Sequence, residues 1–301
     1  MREPLYTFIV PHYDIPELLI RCIQSIPQRD DIQVIVIDDC SPGAEDYLLK
    51  FPELSRPGLE YYSTHRGGSA GRARNIGLAH ARGQWLLFAD ADDFFYPAIE
   101  EVLQYLNSSK ADIVYFDVKS YNVEQQKETD EAQNFNNEIS KALQSGKTDS
   151  IRFHYDVPWG KAVRRSVVEK NKIRFEETYC SNDSRFAAVL GHYAKEIEVL
   201  PIKAYCWVTR QNSLWRNQDI RWYTTRIKVH LGIIQFLTAH KEKEAAKIHT
   251  EYASKFLFRL EKISFWDYVN CAFRYGIVLH RYGFVVCHLP KQIFQHILRL
   301  S

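Results

Sequence analysis

Residues 85–93 read Trp-Leu-Leu-Phe-Ala-Asp-Ala-Asp-Asp, five apolar residues followed without a linker by three carboxylates in four positions. A short continuous apolar run that stops at polar residues is the pattern of a strand buried on both faces. The same pattern occurs twice upstream. Tyr6–Val10 runs into Pro11-His12-Tyr13-Asp14, and Ile32–Ile37 runs into Asp38-Asp39-Cys40-Ser41. Between these two strands Leu18, Leu19, Cys22, Ile23 and Ile26 recur at helical spacing. Pro16 stands early, where its missing N–H costs little, and Asp14 is placed to cap. Strand–helix–strand alternation requires parallel pairing and a sheet covered on both faces.

The alternation continues outward. Leu59–Tyr62 is a further short strand, and Ser69–Ala81 is a helix with a small-residue face at Ala70, Ala73, Gly77 and Ala79. Pro97–Leu106 is an amphipathic helix and Ile113–Phe116 another strand. Residues 121–150 carry few large apolar residues and read as a mobile insertion or a hairpin. Order returns at His154–Val163, Val199–Val208 reads as one more strand, and from Ile220 the chain turns helical. The expected fold is α/β, a doubly wound, mostly parallel, Rossmann-like sheet over residues 1–210 with a C-terminal helical region over 211–301.

Composition narrows the classes. The chain has 301 residues, 46% hydrophobic and 25% charged, which suits a globular protein. A formal net charge of +2 gives no field favouring nucleic acid. The six cysteines form no CxxC pair or Cys/His cluster, so a zinc site is not expected and reduced thiols are. The N-terminal residues do not read as a signal peptide, and no stretch of 18 apolar residues reads as a membrane span. A cytoplasmic protein is the expectation, peripheral on the inner face of the membrane if the Arg-, Lys- and aromatic-rich C-terminal helices meet lipid. Those helices equally suit a homodimer face or plain packing.

In open α/β sheets ligands sit beyond the C-terminal strand ends. Three such ends here carry six carboxylates, which repel one another unless a cation or a donor-rich ligand joins them. A hard divalent ion with oxygen ligands satisfies that requirement. A single Asp after a strand is more often a cap or turn residue; Asp90-Ala91-Asp92-Asp93 is more pointed, because carboxylates at i and i+2 of an extended segment point the same way.

Phe8-Ile-Val-Pro-His-Tyr13, Val34-Ile-Val-Ile-Asp-Asp-Cys-Ser41, Gly71-Arg-Ala-Arg-Asn-Ile-Gly77 and Leu87-Phe-Ala-Asp-Ala-Asp-Asp93 together resemble, in order and spacing, the family 2 inverting glycosyltransferases of GT-A fold. The resemblance is good over about residues 5–120 and weaker to about 210. It implies a sugar transferred from a nucleotide-sugar donor, a UDP-sugar in particular, to a hydroxyl of a glycan or lipid-linked acceptor in surface polysaccharide biosynthesis, with Mn²⁺ or Mg²⁺. By the same resemblance Pro11, Tyr13, Asp39, Arg72, Arg74, Asn75, Asp90 and Ala91 line the donor site. Tyr13 would stack on the uracil, Asp39 would accept its N3–H, and an arginine would neutralise diphosphate. Asp90 would hold ribose or metal-bound water, Asp92 the metal, and Asp93 would orient the site.

An inverting transfer needs a base opposite the leaving group. Ser181-Asn182-Asp183-Ser184 resembles the family segment that supplies it, making Asp183 the base and Asn182 an acceptor-side neighbour; either Ser181 or Asp183 alternatively caps the helix that follows. Pro158-Trp159-Gly160-Lys161 resembles an acceptor-side segment, where Trp159 either stacks a sugar or plugs the core. Gln218-Asp-Ile-Arg-Trp222 has the Gln-x-x-Arg-Trp spacing of processive synthases; with no membrane span read in this sequence the match is taken as mostly chance, and a role for it stays open. A nucleotidyltransferase or dehydrogenase would open with a Gly-rich loop after the first strand, and none is present. The competing reading is a donor-binding or scaffold protein of the same fold without turnover.

Overall fold

The structure is a computed structural model that describes residues 3–210, 218–264, 267–269 and 271. In chain order the elements are β1 (Tyr6–His12), α1 (Pro16–Ser25), β2 (Ile32–Asp38), α2 (Tyr47–Lys50), β3 (Leu59–Ser63), α3 (Ala70–His80), β4 (Trp85–Phe88), β5 (Phe94–Phe95) and α4 (Ile99–Leu106). There follow β6 (Ile113–Asn122), β7 (Lys127–Thr129), α5 (Gln133–Ser145), α6 (Asp149–His154), β8 (Lys161–Arg164), α7 (Arg165–Lys170), α8 (Ser184–Tyr193), β9 (Ile197–Thr209), α9 (Ile220–Ala239) and α10 (Lys243–Ile263).

The strands join one sheet in the order β3-β2-β1-β4-β8-β6-β9-β5, with β7 paired to β6. The pairs β3–β2, β2–β1, β1–β4 and β6–β9 are parallel. β8 runs antiparallel between β4 and β6, so a short reversed strand joins the parallel nucleotide-type half to the rest. The expected mostly parallel sheet is therefore present; the reversal was not legible because β8 has only four residues.

Strand alternation sorts the core into two layers. Phe8, Val10, Val34 and Leu87 pack with Leu19 and Cys22 of α1 and Val102 and Leu103 of α4. Ile9, Ile35, Leu86 and Phe88 face the other way, against Ala73 and Leu78 of α3 and Phe186 and Leu190 of α8. The small face of α3 lets it lie close to β1: a Cβ added at Gly77 would come within 2.5 Å of Ile9 Cγ2.

Two local expectations change. The cap of α1 is not Asp14. The helix begins after Ile15 with no side-chain cap, and Asp14 takes a positive φ of 51°. Its N–H donates to Ser41 Oγ at 2.7 Å, while Ile15 N–H donates to His12 Nε2 at 3.1 Å, so the β1–α1 turn is held from the side. Residues 121–150 are a β6–β7 hairpin and then α5, which buries Ile139 and Ala142; its apolar residues are few but share one face, and that suffices to dock it. The free cysteines are Cys22, Cys40, Cys180, Cys206 and Cys271 among the described residues; Cys287 lies outside them.

From Ile220 onward α9 and α10 pair through Ile227, Leu231, Leu257 and Leu260. A second cluster joins Ile233 and Leu237 of α9 to Ala188 of α8 and Phe153 of α6, so the helical pair is docked on the sheet domain. Among the described residues no helix is long and apolar enough to cross a membrane. Gln218–Trp222 marks a helix start: Asp219 accepts from Trp222 N–H at 2.7 Å, and Trp222 is buried.

Replacing Gly77 with valine forces α3 away from β1. We expect a loss of about 1–3 kcal/mol in unfolding free energy, the usual cost of overpacking, measured by urea titration.

Candidate active site

The strand ends of β1, β2 and β4 are neighbours, and they bring the acidic turns together. The five carboxylates at the β2 and β4 ends each have their own partner. Asp38 is buried, accepts from Ser41 N–H at 2.7 Å and pairs with His12 Nδ1 at 2.8 Å; these bonds hold its pKa below the ordinary value against the effect of burial. Asp39 accepts from Gly68 N–H through both oxygens, at 3.1 and 3.0 Å, and burial raises its pKa. Asp90 pairs with Arg74 at 2.5 Å. Asp92 pairs with Arg210 at 2.5 Å, and burial followed by the charge of Asp90 raises its pKa.

Asp93 is 1% exposed, which removes it from any ligand set. It accepts from Tyr205 Oη at 2.5 Å and from Val208 N–H at 2.7 Å, pinning β9 to the acidic turn. Burial and the charges of Asp92 and Asp90 push its pKa well up. Tyr205 Oη also accepts from Asp90 N–H at 3.1 Å, so one hydroxyl ties both acids to β9.

Arg74 is 4% exposed and reaches in two directions, to Asp90 and, at 2.8 Å, to Asn182 Oδ1. Asn182 thus turns its amide oxygen toward Arg74 and the acidic strand ends. The contact requires Gly71: the 176–182 loop crosses the start of α3 so closely that a Cβ there would lie 2.0 Å from the Glu176 carbonyl oxygen. Asn75 is also used by this loop. Its amide donates to Phe175 O at 2.9 Å and accepts from Phe175 N–H at 2.8 Å, so it straps this loop to α3. Arg72 points elsewhere, donating to the Arg66 carbonyl, with its charge acting on Asp39.

Asp183 occupies the cap position of α8, yet its side chain caps nothing. Burial, and then the negative charge of Asp156, push its pKa up to about 6, with Arg74 acting in the opposite sense. Asp156 accepts from Ser184 Oγ at 3.2 Å. Tyr13 stands 59% exposed beyond β1. Pro11 lies within β1, and Ala91 is buried, so either offers a ligand only its backbone.

Trp159 is a core plug. It is 3% exposed and stacked on Tyr205 at 5.5 Å and Trp207 at 5.8 Å, so it has no free face for a sugar. Beside it the buried Lys161 donates to Tyr155 O at 2.8 Å, its pKa lowered by burial to about 7. Sequence reading missed Asp156, Tyr205 and Arg210. Tyr205 lies in β9 and Arg210 directly after it; both meet Asp90–Asp93 from more than 100 positions away, and no local spacing announces that.

A glycosyl transferase family 2 model matches residues 7–171, more than half of the chain, a span that includes the three strand-end motifs and the α3 motif at 71–77. The chain belongs to that family. Its fold is GT-A, and similar proteins agree. It is 27% identical over 221 residues to the poly(ribitol-phosphate) beta-N-acetylglucosaminyltransferase TarS of Staphylococcus aureus, a stretch that covers 68% of this chain and 36% of that protein. The chain therefore spans about a third of the TarS relatives' length. It is 24% identical over 256 residues to the putative glycosyltransferase EpsH of Bacillus subtilis, covering 81% of this chain and 72% of the relative. In fold it resembles the crystal structure of S. aureus TarS 1-349 in complex with UDP-GlcNAc, with TM-score 0.68, 18% identity, and 96% and 82% of the two chains covered.

Among the described residues no group of three or more His, Cys, Asp or Glu is arranged to hold a metal ion. The acids present nonetheless fit a cation shared with a ligand. Arg210 engages one oxygen of Asp92 and Arg74 one oxygen of Asp90, and each carboxylate keeps its other oxygen. Magnesium-like ions commonly take one or two carboxylates and complete their shell from phosphates.

Substituting Tyr205 with phenylalanine removes a donor to a buried carboxyl. Unfolding free energy should fall by about 1–3 kcal/mol, read by chemical denaturation, with the acidic turn loosened.

Proposed function

We propose that this glycosyltransferase moves one sugar from a UDP-sugar to a hydroxyl of a glycan or lipid-linked acceptor, inverting the anomeric carbon, in surface polysaccharide synthesis. The observation that carries the reading is the position of Asp183. It is a carboxyl with a pKa near 6 whose side chain has no capping duty, joined through Asn182 and Arg74 to Asp90 at the donor-side strand ends. The ligands of two structural relatives of TM-score 0.68 and 0.62, UDP-GlcNAc and UDP, support a uridine nucleotide.

In this reading Tyr13 presents an exposed ring for the uracil and Asp39 an acceptor for its N3–H. Asp183 removes the proton of the acceptor hydroxyl as that oxygen bonds to the sugar carbon and the diphosphate departs on the opposite face. Arg74, held between Asp90 and Asn182, offsets the charge appearing on the leaving group. Asp92, with Asp90 beside it, would hold Mn²⁺ or Mg²⁺, which supplies Lewis-acid charge neutralisation at the diphosphate when bound.

Asp183→Asn should keep UDP affinity and lower turnover about 10²-fold or more; full turnover would exclude it as the base. In the parent protein kcat/KM should fall as pH drops through about 6, where the carboxyl is protonated and cannot accept a proton. Asp156→Asn removes the neighbouring like charge and should move that limb to lower pH. An unmoved limb would break the link between Asp156 and the base.

Calorimetric titration with UDP, GDP and dTDP, with and without Mn²⁺, checks the donor site. UDP-selective, Mn²⁺-dependent binding that Asp92→Ala abolishes is the expected outcome. Binding of none of the three would favour the scaffold without turnover.

A further inference from the structure

A cavity of ≈ 370 Å³ lies between α5, the end of α6 and the two C-terminal helices. Its walls include Glu138, His154, Asp156, Arg226, Tyr252 and Phe256. The volume is at the small end of the range of about 300–1,000 Å³ usual for small-molecule sites. Two of its walls act on the base. The negative charge of Asp156 is the second cause, after burial, of the raised Asp183 pKa, and the positive charge of Arg226 opposes it. Asp156 also accepts from the hydroxyl of Ser184, the residue after Asp183, at 3.2 Å, so one wall of the cavity adjoins the proposed base.

Its chemistry is mixed. Glu138 is already engaged by Lys141 at 2.7 Å and by Ser150. The Arg226 guanidinium lies over the rings of Trp222 at 4.1 Å and Phe256 at 5.1 Å. Among the described residues no carboxylate is within ion-pair distance of it, and its Nε has no hydrogen-bond partner. His230 contributes a buried imidazole whose pKa burial lowers, leaving it neutral. Two carboxylates face two cationic side chains, so the sum favours neither a phosphate nor a cation. Acceptors and donors set around aromatic faces suit a ring with an apolar C–H face and several hydroxyls.

We propose that this cavity is an acceptor subsite that holds a neutral glycosyl unit adjoining the one whose hydroxyl is glycosylated. The aromatic walls at Tyr252 and Phe256 cover its C–H face, and Glu138, Asp156 and Arg226 take its hydroxyls. The C-terminal helices thereby help to select the acceptor. The inference rests on Asp183 being the base, which fixes the end of the cavity nearest the reaction.

Saturation-transfer NMR on the full chain tests it, with methyl glycosides of glucose, galactose and N-acetylglucosamine as probes and inorganic phosphate as the anionic competitor. At least one glycoside should bind, and Tyr252→Leu and Glu138→Gln should each weaken it about tenfold, the effect of roughly one lost polar or ring contact. Asp183→Asn should leave that binding intact. No glycoside binding, binding indifferent to both substitutions, or displacement by phosphate would overturn the proposal. If the unfolding midpoint shows Tyr252→Leu to be misfolded, the isosteric Glu138→Gln decides alone. Turnover of Asp183→Asn reports on the base independently, so failure of the subsite and failure of the base give different results.

Discussion

The guanidinium of Arg74 is buried and shared between the Asp90 carboxylate and the Asn182 amide, and the arrangement of the site depends on it. A buried cation is stable only where it is paired and hydrogen-bonded. That requirement draws together three segments far apart in the chain: α3, the turn after β4, and the loop before α8. Fixing Asn182 also fixes its neighbour Asp183. The loop can reach Arg74 only because Gly71 leaves room for the Glu176 carbonyl, and Asn75 straps the same loop at Phe175. One helix thus holds both the donor-side acids and the segment that carries the proposed base.

The acidic strand ends obey a second constraint. Carboxylates clustered beyond adjacent strands raise one another's pKa values, and the fold answers with a different partner for each. A histidine and a backbone amide serve Asp38, an amide serves Asp39, arginines serve Asp90 and Asp92, and a tyrosine and an amide serve Asp93. Distributing the partners leaves Asp90 and Asp92 partly exposed while Asp93 becomes structural. Their similar positions in the sequence conceal this difference in burial.

The C-terminal helices belong to the same design. α9 docks on α8 through Ile233, Leu237 and Ala188, directly behind the segment that begins at Asp183. From there Arg226 acts on Asp183, and Tyr252 and Phe256 wall the neighbouring cavity. Their aromatic and basic residues, which suit a membrane face when read as a string, are in these cases turned toward the sheet domain.

Alternation of apolar strands and amphipathic helices determined by itself the α/β sheet, the parallel order of its first half and the strand ends where acids gather. Those features follow from local periodicity, which any segment carries independently of its neighbours. The sequence also carried the family resemblance that singled out Asp39, Arg74, Asp90, Asp92 and Asp183. Tertiary structure alone decided the burial of Asp93, the inward turn of Asn182, the use of Asn75 as a strap and the enclosure of Trp159. It alone brought Tyr205 and Arg210 to the acidic turn and Asp156 to the neighbourhood of Asp183. Each of these is a contact across tens of residues or more, set by how layers pack and which buried charge must be satisfied; no spacing along the chain encodes such a contact.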